Sequence, residues 1–223
     1  MDRKLFFSAL GKFSLGVVLV GALIFLPAFT WDYPEGWLLM SILFIPMLIA
    51  GFVMMAKNPG LLRSRLKAKE TRKEQSLVIK LSGLMFLAGF VAAGICYRFG
   101  WLLFPKWVSW LGAVLFLGSY GLYAEVLREN TYLSRTIEVQ EGQKVIDTGL
   151  YSIVRHPMYS ATLVLFASMP LVLRSMPAFL IFLAYPLIIV KRIRDEEAVL
   201  EKELPGYREY RTNVKFRLIP YIW

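Results

Sequence analysis

Four apolar runs, at residues 13–31, 37–56, 77–97 and 103–124, contain Leu, Val, Ile, Phe, Ala and Gly with almost no charge. Each has the length of roughly 20 helical residues that crosses a bilayer core of about 30 Å. A fifth apolar stretch, 158–190, differs because Leu173-Arg174-Ser175-Met176-Pro177 interrupts it. A central Arg followed by Pro predicts a hairpin of two shorter helices in place of one long helix. The pattern predicts an all-α integral membrane protein with six transmembrane helices, the last two a short hairpin, followed by a cytoplasmic helical tail. Residues 1–124 are expected to supply four spans. Residues 125–223 are expected to supply a cofactor-binding loop, the hairpin and a catalytic tail within the same membrane domain.

Charge gives these spans a direction. Of the 26 Lys and Arg residues, 23 fall at the N-terminus, in 57–80, in 125–156 or after 190, leaving Arg98, Lys106 and Arg174 on the other side. Basic residues concentrate on cytoplasmic loops, so both termini are expected there, in a cell inner membrane or the endoplasmic reticulum. Trp31, Trp37, Trp101, Trp107 and Trp110 sit near span ends on the opposite side, as an interfacial aromatic belt would. The basic loop Lys57–Lys80 reads as a topology signal, or as a patch for lipid headgroups or a partner.

Composition narrows the class further. The chain of 223 residues is 57% hydrophobic and 19% charged, which excludes an ordinary soluble enzyme and a disordered chain. The net charge of +10 would suggest nucleic acid in a soluble protein. Beside apolar runs it points to anionic membrane lipids, so no nucleic acid is expected. The single cysteine, Cys96, excludes an intramolecular disulfide and a cysteine-based zinc site, and no metal is expected. The first run is too long for a secretory signal and lacks a cleavage pattern after it.

Polar residues with chemical potential gather after residue 125. The first group is Gly149-Leu150-Tyr151-Ser152-Ile153-Val154-Arg155-His156-Pro157-Met158-Tyr159. Gly149 offers a turn and Pro157 suits the first turn of the next helix. Arg155, the chain's lone histidine His156, and first-turn amides thus meet at a helix N-terminus, which favours anions. Alone, this group is also consistent with an ordinary helix start. The second group is Lys191-Arg192-Ile193-Arg194-Asp195-Glu196-Glu197, where Arg192 and Glu196 stand at i,i+4 on one helical face. Near membrane depth such a pair marks a site, though on a solvated face it would be a weak surface pair. The antiparallel arms of the hairpin bring it back beside His156. The third group is Pro205-Gly206-Tyr207-Arg208-Glu209-Tyr210, a helix break followed by two tyrosines on one face, or simply an amphipathic tail.

In order, these groups resemble the isoprenylcysteine carboxyl methyltransferases, which are related to the membrane phospholipid N-methyltransferases. The resemblance covers about residues 125–223 and rests on G-L-Y-x3-R-H-P-x-Y, R-I-x-x-E-E and G-Y-x-x-Y. It implies S-adenosylmethionine bound at the cytoplasmic end of the membrane domain. The positions that would line the cofactor are Lys144, Val145 and Ile146, then Tyr151, then His156, Pro157, Met158 and Tyr159, then Glu196. Arg155 and Glu197 join this set on charge, Arg155 for a carboxylate and either acidic residue for an ammonium. Arg192, one turn before Glu196, falls where the family holds its acceptor, and Arg192 and Glu196 are the catalytic candidates. The loop 131–143 departs from the family pattern, and no glycine-rich dinucleotide fingerprint is present.

The implied acceptor is lipid-like, foremost an isoprenylcysteine carboxylate, which is already ionised and needs no general base. An amine acceptor, as in phospholipid N-methylation, would need Glu196 or Glu197 as base. Two other classes remain open: an isoprenoid or sterol reductase of the same fold, requiring a nicotinamide, and a non-enzymatic membrane scaffold.

Overall fold

The computed structural model describes residues 3–66, 73–133 and 139–223. Within the basic loop 57–80, residues 67–72 lie outside the described residues, as do 134–138 of the loop 131–143. The described chain is helical: α1 (Arg3–Ala28), α2 (Pro34–Lys57), α3 (Pro59–Leu66), α4 (Lys73–Phe99) and α5 (Lys106–Glu129) come first. A 3-10 turn (Gly149–Ser152) then leads to α6 (Pro157–Val172), α7 (Met176–Phe182), α8 (Tyr185–Glu203) and α9 (Tyr207–Asn213). Among the described residues five stretches are long and apolar enough to cross a membrane: α1, α2, Ser76–Phe99 of α4, α5, and Met176–Glu203. α6 is apolar but shorter. The protein is an all-helical, multi-pass integral membrane protein.

Inverted soluble logic is visible on its surface. Leu15, Val18, Leu26, Phe52, Val114 and Leu187 are exposed along the spans, apolar side chains that lipid covers favourably. Trp31, Trp101, Trp107 and Trp110, between 62% and 69% exposed, ring the end away from α9.

The hairpin turn of residues 173–175 is fixed at that same end. Arg174 takes φ +59°, a left-handed conformation that a non-glycine residue adopts only when its surroundings hold it there. Here they do. The Arg174 carbonyl accepts from Phe104 N at 2.7 Å, and its guanidinium donates to Phe104 O and to Glu35 Oε1, both at 2.8 Å. Tyr33, fully buried, donates its hydroxyl to Leu173 O. Glu35 is therefore the counterion of the hairpin tip.

α5 and α6 pack closest where Gly112 meets the end of α6. A Cβ at Gly112 would lie 2.8 Å from Val172 N, so a side chain there would force the helices apart. Ser109, one turn earlier, donates to Val172 O at 2.7 Å.

The hairpin differs from the sequence expectation in its second arm, which is not one continuous helix. α7 ends at Phe182 and α8 begins at Tyr185. Pro186 has no N–H to give the Phe182 carbonyl, so the ladder breaks there. α8 then continues past the apolar stretch to Glu203, carrying Arg192, Glu196 and Glu197 out on a rigid rod.

Candidate functional site

The site assembles where the start of α6, the end of α8 and the tail converge. The approach to α6 is set by Gly149 at φ +51°, where a Cβ would run into the Glu129 carboxylate. That carboxylate accepts from Leu150 N at 3.1 Å, so the end of α5 holds the 3-10 turn. The chain then pairs with the tail: Arg155 N donates to Phe216 O and His156 N to Arg217 O, both at 2.9 Å. Ser160 adds a bond from its hydroxyl to Leu218 O.

Glu197 is the hub of this closure. Its Oε1 accepts from Arg155 Nε at 2.8 Å and lies 3.2 Å from His156 Nε2, while its Oε2 accepts from Arg217 Nε at 2.9 Å. The carboxylate is 5% exposed and the Arg155 side chain 4%, so these bonds are shielded from water. Arg155 spends a further nitrogen on Val214 O and Lys215 O. Glu197 therefore clasps the α6 start to the tail.

Beside this clasp opens a cavity enclosing about 860 Å³, its mouth included. Its described lining residues lie between 130 and 210. Of the residues singled out from sequence, Lys144, Val145, Ile146 and Tyr151 line one part, and Arg155, His156, Met158 and Tyr159 another. Arg192 and Glu196 complete the set, whereas Pro157 and Glu197 are not among the lining residues. Sequence reasoning left out Asn130, Leu200, Leu204, Tyr207 and Tyr210, which also line it. The G-Y-x-x-Y spacing was the signal for the two tyrosines, but nothing in it says that the tail folds back.

On the cavity wall the Tyr159 hydroxyl joins the two catalytic candidates. It accepts from Arg192 Nε at 2.8 Å and donates to Glu196 Oε2. The guanidinium also lies over the Tyr159 ring, 5.9 Å from its centroid. A cation, a phenol and a carboxylate are thus held in sequence across α6 and α8. Also on the lining, Tyr151 accepts from Asn130 Nδ2 at 2.9 Å and Tyr210 donates to the Tyr151 carbonyl at 2.7 Å. Burial pushes the Tyr151, Tyr207 and Tyr210 phenols well above their ordinary range, which keeps them protonated donors. Among the described residues no group of His, Cys, Asp or Glu is placed to hold a metal ion.

Comparison with known proteins identifies this region. The family described as isoprenylcysteine carboxyl methyltransferase (ICMT) matches residues 110–202. That stretch is a little under half of the chain. The ICMT match runs from α5 to the last residues of α8 and so includes Tyr159, Arg192, Glu196 and Glu197. α9 and the returning tail lie beyond it. A curated relative, the Delta(14)-sterol reductase TM7SF2 of Mus musculus, is 31% identical over 91 residues. That alignment covers 40% of this chain and 22% of the reductase, so the chain matches about a fifth of that relative's length. Among solved structures, the eukaryotic intramembrane Ras methyltransferase ICMT superposes with a TM-score of 0.58 at 16% identity. It covers 96% of this chain and 77% of its own, a likeness of fold.

Proposed function

We propose that the protein is an S-adenosylmethionine-dependent membrane methyltransferase whose acceptor is lipid-like, foremost the carboxylate of an isoprenylcysteine-type substrate. The observation that carries this reading is the Arg192–Tyr159–Glu196 linkage, three residues of the ICMT-matched stretch joined on the cavity wall. We further propose that residues 125–223 form the catalytic part and that both termini face the cytoplasm, in a cell inner membrane or the endoplasmic reticulum.

The lining fits such a methyl donor. Glu196 Oε1 accepts no hydrogen bond among the described residues and is available to an ammonium. Tyr207 carries a buried hydroxyl with no partner among the described residues, and Tyr151 and Tyr159 offer aromatic faces to a base. When bound, the donor supplies a methyl group on a cationic sulfur, open to in-line displacement. The protein's part is alignment and exclusion of water. Arg192 stands one turn nearer the apolar part of α8 than Glu196, which places a two-pronged grip for a carboxylate on the lipid side. A carboxylate is ionised at neutral pH, so Glu196 is not needed as a base and its charge can serve the ammonium. Glu197 acts on the site by holding the tail together with Arg155 and His156, which line the cavity.

The sequence identity to a sterol reductase favours a second reading, a nicotinamide site in the same fold. Calorimetric titration of the detergent-solubilised protein with S-adenosylhomocysteine and with NADPH separates the two. Binding of the first alone is the expected result. Binding of NADPH alone makes the protein a reductase, and binding of neither leaves a scaffold.

A further inference from the structure

α9 places two tyrosines in nearly the same surroundings with opposite hydrogen-bond status. Gly206 at φ +83° ends the preceding segment and turns the chain into α9, so Tyr207 and Tyr210 share one helical face. Their ring centroids are 5.7 Å apart, and they are 4% and 6% exposed. Both line the cavity. Tyr210 donates its hydroxyl to the Tyr151 carbonyl at 2.7 Å. Tyr207 has a fully buried hydroxyl without a partner among the described residues. A buried phenol left unbonded is costly, and native proteins keep such groups where something else completes them.

Resting on the methyl-donor reading above, we propose that the Tyr207 hydroxyl is a binding group for the amino-acid end of the donor, donating its hydrogen to the donor's carboxylate. The charged groups that act on this phenol are Glu197, Glu196 and Arg155. Arg155 is committed to Glu197 and to the carbonyls of Val214 and Lys215, and so leaves the carboxylate to another donor. Glu196 beside it suits the ammonium of the same zwitterion. Burial keeps the phenol protonated, hence a donor at neutral pH. The adenosine half then falls to the remaining aromatic wall.

The test uses Y207F and Y210F in the full chain, with S-adenosylhomocysteine and 5′-methylthioadenosine as probes, the latter lacking the amino-acid end. Y207F should bind S-adenosylhomocysteine roughly tenfold more weakly than wild type and 5′-methylthioadenosine equally well. Without ligand, Y207F should melt no lower than wild type, because the Tyr207 hydroxyl bonds nothing among the described residues, whereas Y210F should melt lower. Equal loss for both probes would move the hydroxyl to the adenosine half and overturn the proposal. Unchanged affinity for both, or a lowered unliganded melting temperature in Y207F, would also overturn it. A wild type that binds neither probe would overturn the methyl-donor reading and this inference with it.

Discussion

Glu197→Gln should lower the stability of the unliganded protein by about 3–5 kcal/mol, the cost of breaking a buried ion pair by removing one partner. The substitution keeps the shape and removes the charge that Arg155 and Arg217 share. Arg155, almost wholly buried, would then keep its charge with only neutral acceptors, an amide oxygen and backbone carbonyls, to answer it. A membrane domain with ordinary margins of about 5–15 kcal/mol would show this as a marked drop in melting temperature. The tail carrying Tyr207 and Tyr210 should loosen at the same time, exposing it to limited proteolysis. Glu196→Gln is the internal control, because Glu196 receives a single bond from Tyr159, which an amide oxygen can still accept. If Glu197→Gln melts like wild type, Glu197 is not the clasp described here.

The neighbouring pair should separate acceptor from cofactor. Arg192→Lys retains positive charge but loses the planar fork, so it should bind S-adenosylhomocysteine as wild type does. Its turnover on a carboxylate acceptor should fall on the order of a hundredfold, the scale of a small misplacement of a reacting group. Glu196→Gln should do the reverse at the binding step, losing about 1.5–3 kcal/mol of cofactor affinity because a neutral amide cannot answer an ammonium. Calorimetry and single-turnover kinetics read the two effects independently. The opposite pattern would exchange the two roles. Two near-silent variants would make the pair an ordinary surface contact worth less than about 1 kcal/mol.

The apolar spans were legible in the sequence because hydropathy is a local, cumulative signal. The hairpin turn was legible for the same reason: Arg174 and Pro177 are conspicuous in an apolar stretch. The break before α8 was not drawn from the sequence, although Pro186 marks it, since a proline near a helix start and one that splits a span read alike. The pairing of Glu35 with Arg174 joins residues 139 positions apart. Opposite charges on the same side were its only trace. Glu196 and Glu197 show the limit at the site. Adjacent on a helix, they point about 100° apart, and the sequence does not say which faces the cavity. The structure turns Glu196 to it and Glu197 to the tail. That choice depends on backbone pairing of 155–156 with 216–217, which has no periodic signature in the chain.

The most direct measurement is methyl transfer itself. The purified protein in lipid vesicles would receive S-adenosylmethionine labelled on its methyl group, together with a prenylated cysteine bearing a free carboxylate. A parallel reaction would offer a primary-amine phospholipid. The account predicts label in a base-labile methyl ester of the prenylated cysteine, dependent on Arg192, and none on the amine. Label on the amine lipid alone, or on neither acceptor, would contradict it.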